Sequence, residues 1–86
     1  MSYEIVPYPK VDAILRKMWQ KDTARFNQIE KKLLELAENP EIGKPLKKPL
    51  KGFWRLHIGH YVLMYKIDKK DHTITLVDYA HHDDIY

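Results

Sequence analysis

The sequence predicts an α+β domain: an N-terminal strand, a helical hairpin, then a three-stranded antiparallel meander, in the order β-α-α-β-β-β. Three observations carry this. Apolar residues recur at helical spacing from Val11 to Ala37. The period then changes from about 3.6 to two after the Pro- and Lys-rich stretch that ends at Gly52. A Gly-first pair, Gly59-His60, sits between two alternating apolar runs, as a tight hairpin turn requires.

Taken in order, "YEIVP" alternates and is rich in β-formers, so residues 2–7 read as a strand that Pro7 and Pro9 close. Val11, Ile14, Leu15, Met18 and Trp19 fall at i, i+3, i+4, i+7 and i+8, the stripe of an amphipathic helix. Asp22 or Thr23 caps a second helix whose stripe is Phe26, Ile29, Leu33, Leu36 and Ala37, with Leu34 beside it. Asn39-Pro40 stops that helix, because the residue before proline is pushed out of the α region. Met18, Trp19 and Phe26 read as core. The runs "FWRLHI" and "YVLMYKI" then flank a type II′ turn, and "TITLVDY" follows the polar turn "DKKDH" as the last strand.

With 86 residues the chain makes one domain, residues 1–86, and a chain of this size buries only roughly 60–65% of its unfolded surface. Without cysteine it has no disulfide, thiolate ligand or thiol nucleophile, which fits a reducing cytoplasm. The N-terminus shows no signal-peptide h-region and no apolar run is long enough to cross a bilayer, so no membrane role is expected. Net charge is only +3, but residues 44–66 hold six cations and no acid: Lys44, Lys47, Lys48, Lys51, Arg55 and Lys66. Most charge runs are solvated faces. Aromatics interleaved with this one raise the alternative of a polyanionic partner.

The two-residue turn fixes the hairpin register. Ile58 faces Tyr61, Leu56 faces Leu63 and Trp54 faces Tyr65; the other pairs are His57 with Val62, Arg55 with Met64, and Phe53 with Lys66. The first set is apolar and meets the helices. The second places Arg55, His57 and Lys66 on the outer face, where like charges on neighbouring strands repel unless an anion is expected.

Five histidines invite a metal reading, but no familiar ligand spacing is present. His57 and His60 need not converge, and adjacent His81 and His82 point apart in an extended chain. No metal is therefore expected. His72 reads as a solvated turn residue, and Tyr3 and Tyr8 carry no readable role. The three glycines fall at separate turns rather than in a phosphate loop, so no nucleotide or other small-molecule cofactor is expected. What remains is Arg55, His57, His82 and Tyr86. Cleaving RNA without a metal needs a base for the 2′-OH, a cation for the phosphorane and an acid for the leaving 5′-oxygen. Histidine and arginine suit those tasks. Periodicity alone leaves each of these side chains equally readable as a solvated polar residue.

The text "NPEIGKPLKKPLKGFWRLHIGHYVLMYKID" followed by "DYAHHDDIY" resembles the RelE/ParE toxin superfamily, whose members read as a helix ending in "ENP", then "L+G", "YRLRVGDYRVLYEID" and "GHRKDVY". The likeness covers nearly the whole chain in the same element order. It implies a toxin of a type II toxin–antitoxin system, held by a cognate RelB-like antitoxin. Its RelE-type members are ribosome-dependent mRNA endoribonucleases. Arg55 and His57 stand where those ribonucleases carry basic residues, Tyr86 at their closing tyrosine, and His82 at the arginine of "HRKDVY". Val62 replaces a phosphate-contacting arginine of "GDYR". Losing both arginines is what the gyrase-inhibiting ParE branch would show. The YafQ-like branch, "CHI…LLIYKL…HSDLF", instead carries histidines, and "LHI…VLMYKI…HDDIY" is closer to it. That likeness implies His82 as general acid, Tyr86 as pocket wall, His57 as base with His60 as its rival, and Arg55 on the phosphorane. Lys47, Lys48, Lys51 and Lys66 would hold RNA phosphates. A third alternative is a RelE-fold binding protein without activity.

Overall fold

A computed structural model describes residues 2–84. The elements are β1 (Glu4–Pro7), α1 (Pro9–Lys21), α2 (Thr23–Glu38), a 3-10 turn (Pro40–Ile42), β2 (Lys44–Pro45), β3 (Trp54–Ile58), β4 (Tyr61–Asp68) and β5 (Thr73–His81). The architecture is the expected α+β domain. The sheet order is β1-β5-β4-β3-β2, with β1 parallel to β5 and every other pair antiparallel. The two-residue β2, which lies on the sheet edge beyond β3, is an addition to the expected element order.

The helical hairpin turns on one residue. Asp22 ends α1 through its backbone N–H to the Met18 carbonyl and caps α2 by accepting from the Arg25 backbone N–H at 3.2 Å. Proline opens α1 at the position where its missing N–H costs nothing. Val11, Met18, Ile29, Leu36 and Ala37 are buried against the sheet, as the stripes require. One expectation fails here, at Trp19. Trp19 is 60% exposed and Leu34 66%, because the stripe is narrower than the run of apolar residues. Trp19 is therefore surface, not core.

The β3–β4 register is the expected one, from Trp54 with Tyr65 to Ile58 with Tyr61. Positive φ at Gly59 alone of the turn pair is the pattern of a II′ turn. Between β4 and β5 the register slips: Met64 pairs with Asp78 and Tyr65 with Leu76, so Val77 has no opposite residue. This bulge resolves a conflict in the sequence. Strict alternation from Ile74 and Leu76 would send Asp78 into the core and Tyr79 outward. With the bulge, Tyr79 is buried and Asp78 turns to the outer face, where it pairs with Lys10 at 2.9 Å.

The core lies between the helices and the inner sheet face, built on Leu56, Ile58, Leu63, Tyr65, Ile74, Leu76 and Tyr79. Tyr65 is fully buried yet satisfied: its hydroxyl donates to the Pro40 carbonyl at 2.7 Å and accepts from the Gly43 N–H at 3.2 Å. It pins the end of α2 and the start of β2 to the sheet centre. Burial pushes its hydroxyl up to about 12, with the nearby Glu41 charge acting the same way and the Gly43 hydrogen bond opposing both. The backbone passes so close at Gly43 that a Cβ there would sit 2.3 Å from the Arg55 carbonyl and 2.6 Å from the Tyr65 hydroxyl.

Candidate functional site

The sheet presents its second face away from the helices. Its centre is apolar: Val62, Met64 and Ala80 lie there by register, and Val62 and Met64 are buried. Cations frame this floor. Arg55 lies half-buried beside Met64, His57 exposed beside Val62, and Lys44 directly opposite Arg55 across the β2–β3 ladder. Beyond them, Lys66 donates to the Tyr8 hydroxyl at 3.1 Å, and its ammonium lies 5.5 Å from the Tyr8 ring and 5.8 Å from the Phe53 ring. These aromatic contacts offset part of the repulsion among the cations. They also give Tyr8 the role that the sequence did not disclose.

Lys47, Lys48 and Lys51 are exposed in the loop that joins β2 to β3. Two tight closures shape that loop, Leu50 N–H to the Lys47 carbonyl at 2.9 Å and Phe53 N–H to the Leu50 carbonyl at 3.1 Å. Leu46 N–H to the Phe53 carbonyl, also 2.9 Å, carries the ladder past β2. The lysines thus rise from the same edge of the sheet that holds Lys44 and Arg55. The sequence placed Lys44 in a loop, since a two-residue strand ending at proline leaves no alternation to read.

His60, His81 and His82 gather at one end of the sheet, while His72 lies against Tyr3 in the turn between β4 and β5. His60 is exposed in the β3–β4 turn and His82 exposed just past β5. The His82 backbone N–H donates to the His60 carbonyl at 3.1 Å and its Nδ1 lies 3.3 Å from the same oxygen. His82 Nε2 is 3.0 Å from an Asp83 carboxylate oxygen. Both ring nitrogens therefore face oxygen acceptors. His81 and His82 do not point apart as an extended chain would have them. Strand β5 ends at His81 and a turn follows, so their rings come to 4.6 Å and both face Asp83.

The site residues read from the sequence therefore fall into two groups. Arg55 and His57 share the outer face of β3, with Lys66 nearby on β4. His60 and His82 are joined at the sheet end. Strand β4 lies between β3 and β5, so about 10 Å of sheet separates His82 from the β3 residues, while His60 sits in the turn that joins β3 to β4. Tyr86 lies outside the described residues.

A third cluster was not read from the sequence. The Arg25 guanidinium sits 4.7 Å over the Tyr61 ring and its Nη1 is 3.4 Å from the Tyr61 hydroxyl. Tyr61 stacks on Tyr79 at 5.1 Å, and His81 meets the Tyr61 ring edge-on at 5.5 Å. Burial raises the Tyr79 hydroxyl from its ordinary value; Arg25 opposes this, and Tyr61 and Asp22 add to it. This stack closes one wall of a cleft of about 260 Å³ lined also by Gln28, Gly59 and His60. A larger groove of about 510 Å³ lies on the helical hairpin, between Leu15, Trp19 and Phe26 with Asp12 and Arg16 at its rim. Among the described residues, no helix is long and apolar enough to cross a membrane.

A helical hairpin on one face of a small mixed sheet, with cations on the other, defines the class of fold. The family described as ParE toxin of the type II toxin–antitoxin system, parDE, matches residues 9–86. A relative from Methanocaldococcus jannaschii described as "Putative toxin RelE4" is 40% identical over 85 residues, covering 98% of this chain and 90% of its own. The toxin–antitoxin complex RelBE2 of Mycobacterium tuberculosis contains a chain that superposes with TM-score 0.80 at 23% identity, over 95% of this chain and all of its own. A chain of the YoeB–YefM complex of Staphylococcus aureus gives TM-score 0.78 at 20% identity, over 95% and 99%. The two structures speak for the fold alone. On the sequence matches, the chain belongs to the RelE/ParE superfamily of type II toxins.

Proposed function

We propose that this toxin is a ribosome-dependent mRNA endoribonuclease that cleaves by attack of the 2′-OH on the adjacent phosphate. The observation that supports it best is the outer face itself, where Arg55 and His57 alternate along β3 beside an apolar floor. Arg55 is itself half-buried beside this floor, so its guanidinium holds phosphate charge more strongly than it would in open solvent. Arg55 stabilises the phosphorane, and His57 takes the 2′-OH proton, with His60 as its rival. His82, its ring aligned by the His60 carbonyl, protonates the leaving oxygen. Tyr86, at the position of the family's closing tyrosine, is proposed to orient the scissile nucleotide. Lys47, Lys48, Lys51 and Lys66 hold flanking phosphates, with Lys44 beside Arg55 as a further contact.

A cognate RelB-like antitoxin is the proposed partner. Relatives of the same fold are solved as toxin–antitoxin complexes. The groove beside Trp19 offers this chain's exposed apolar surface for such a partner.

Primer extension on a translated mRNA tests the reading. Expression without the antitoxin is expected to give discrete new 5′ ends inside the coding region, and none when translation initiation is blocked. Intact transcripts with gyrase-dependent DNA damage would instead assign the chain to gyrase inhibition. Cuts that persist on untranslated RNA would remove the ribosome from the reaction.

A further inference from the structure

We propose that His81, His82 and Asp83 bind a first-row transition ion of the Zn²⁺ class, and that the ion takes His82 out of proton transfer. The second half rests on His82 as general acid; the first does not.

One ligand atom from each of the three residues falls within 4.8 Å of the others. A Zn²⁺ with bonds of about 2.0 Å needs its ligands roughly 3.3 Å apart, a closure that exposed side chains make by small rotations. The hydrogen bonds preset the ring nitrogens. His82 Nδ1 lies against the His60 carbonyl at 3.3 Å, so the proton that a neutral ring keeps belongs there. That leaves the Nε2 lone pair directed at Asp83, 3.0 Å away. A ligand histidine whose second N–H is held by a backbone carbonyl is the usual supporting arrangement of metal sites. His81 Nδ1 accepts from the Asp83 backbone N–H at 3.3 Å, so it is the unprotonated nitrogen; 3.5 Å from the Asp83 carboxylate, it exchanges that long hydrogen bond for the ion by a small ring rotation. Two electron-rich groups thus point at one space, and a cation there turns their repulsion into attraction. Two imidazoles and one carboxylate favour zinc, copper or nickel over magnesium or calcium. Three protein ligands leave a fourth position for water. An ion on His82 Nε2 occupies the lone pair that a transferred proton would use, so it takes the ring out of proton transfer.

The test is a titration of tag-free, full-length protein with ZnCl₂, followed by calorimetry and by imidazole ¹H–¹⁵N spectra, on the parental chain, His81→Ala and Asp83→Ala. One ion per chain is expected, with shifts confined to the His81 and His82 rings. Each substitution should weaken binding by at least about tenfold, the scale on which even supporting residues matter. Far-UV spectra of the variants confirm folding. Mg²⁺ at the same concentration should leave both rings unmoved. Absent binding, or binding equally tight in both variants, overturns the site. In the cleavage assay, the ratio of rates with and without zinc is taken within each protein, so altered basal rates divide out. The ratio should fall at least about tenfold for the parental chain and stay near one for the variants. Site-specific binding with cleavage unaffected overturns the inhibitory half. Site-specific binding with transcripts intact throughout upholds the metal site and overturns the nuclease reading.

Discussion

The two faces of the sheet make opposite use of the same strands. The inner face of β3 and β4 carries Trp54, Leu56, Ile58, Leu63 and Tyr65, and the helices close over it. The outer face carries Arg55 and His57, with Asp78 on β5 paired to Lys10 at the start of α1. On one side the fully buried Tyr65 hydroxyl has both of its hydrogen bonds made. The other keeps cations at the rim of an apolar floor. Stability is thus concentrated on one side and chemistry on the other, and substitutions should separate the two.

The largest expected effect is on chemistry alone. His82→Ala removes a proton-transfer group from an exposed turn and should lower cleavage about 10²–10⁴-fold. Thermal stability and antitoxin affinity should match the parental chain, because His82 contributes no core packing. Primer extension and a thermal melt on the same preparation measure both. Cleavage at the parental rate would show that His82 carries no proton.

Gly43→Ala should act first on stability, and on chemistry only through the backbone it displaces. Its Cβ meets backbone, the Arg55 carbonyl at 2.3 Å, which cannot rotate away. Overpacking of this kind costs about 3 kcal/mol. Urea denaturation should show the loss, and cleavage per folded molecule should also fall because β3 must shift at Arg55. Parental stability for this variant would mean that β2 and β3 have slack that the geometry denies.

Next is Tyr65→Phe, which strands the Pro40 carbonyl and the Gly43 N–H in the interior at about 2 kcal/mol. Its alkaline signature has a definite sign. The Tyr65 hydroxyl is raised to about 12, above the ordinary 10.0 of an unfolded tyrosine. Below pH 10 both states are protonated and the full stability is present. Between pH 10 and 12 the unfolded chain ionises first, so stability falls as pH rises. Tyr79, also raised by burial, acts in the same direction. The phenylalanine variant should lose the Tyr65 part of this slope in urea titrations run across that range. Equal slopes would show that Tyr65 is not shielded from water.

This division explains what could be read in advance. The inner face was legible because its period is two and its turn has two residues, so the register of β3 and β4 follows by counting. The helices were legible from their stripes, although Trp19 shows that a residue at the last position of a stripe can stay outside. The bulge at Val77 was not legible. It is a choice between burying Asp78 and burying Tyr79, and alternation cannot express an extra residue. The His81–His82–Asp83 cluster was hidden for a related reason. Adjacent residues diverge in a strand and converge only where the strand stops, and that end was placed two residues too early.

The smallest expected effect lies at the sheet edge. Lys47, Lys48 and Lys51 are exposed on the loop before β3 and touch the reading only through charge. Replacing all three with alanine should weaken RNA engagement by about tenfold at moderate salt. The plot of log affinity against log salt should become shallower by about 2, since each phosphate contact on a single strand contributes about 0.7. The rate at saturating ribosomes should stay parental. Arg55→Lys gives the contrast: the charge and most of the salt slope remain, but the planar fork that grips two phosphate oxygens is lost, so the saturated rate should fall. If the triple variant slows the saturated rate while Arg55→Lys leaves it intact, chemistry resides in the loop, and the outer face of β3 is only its support.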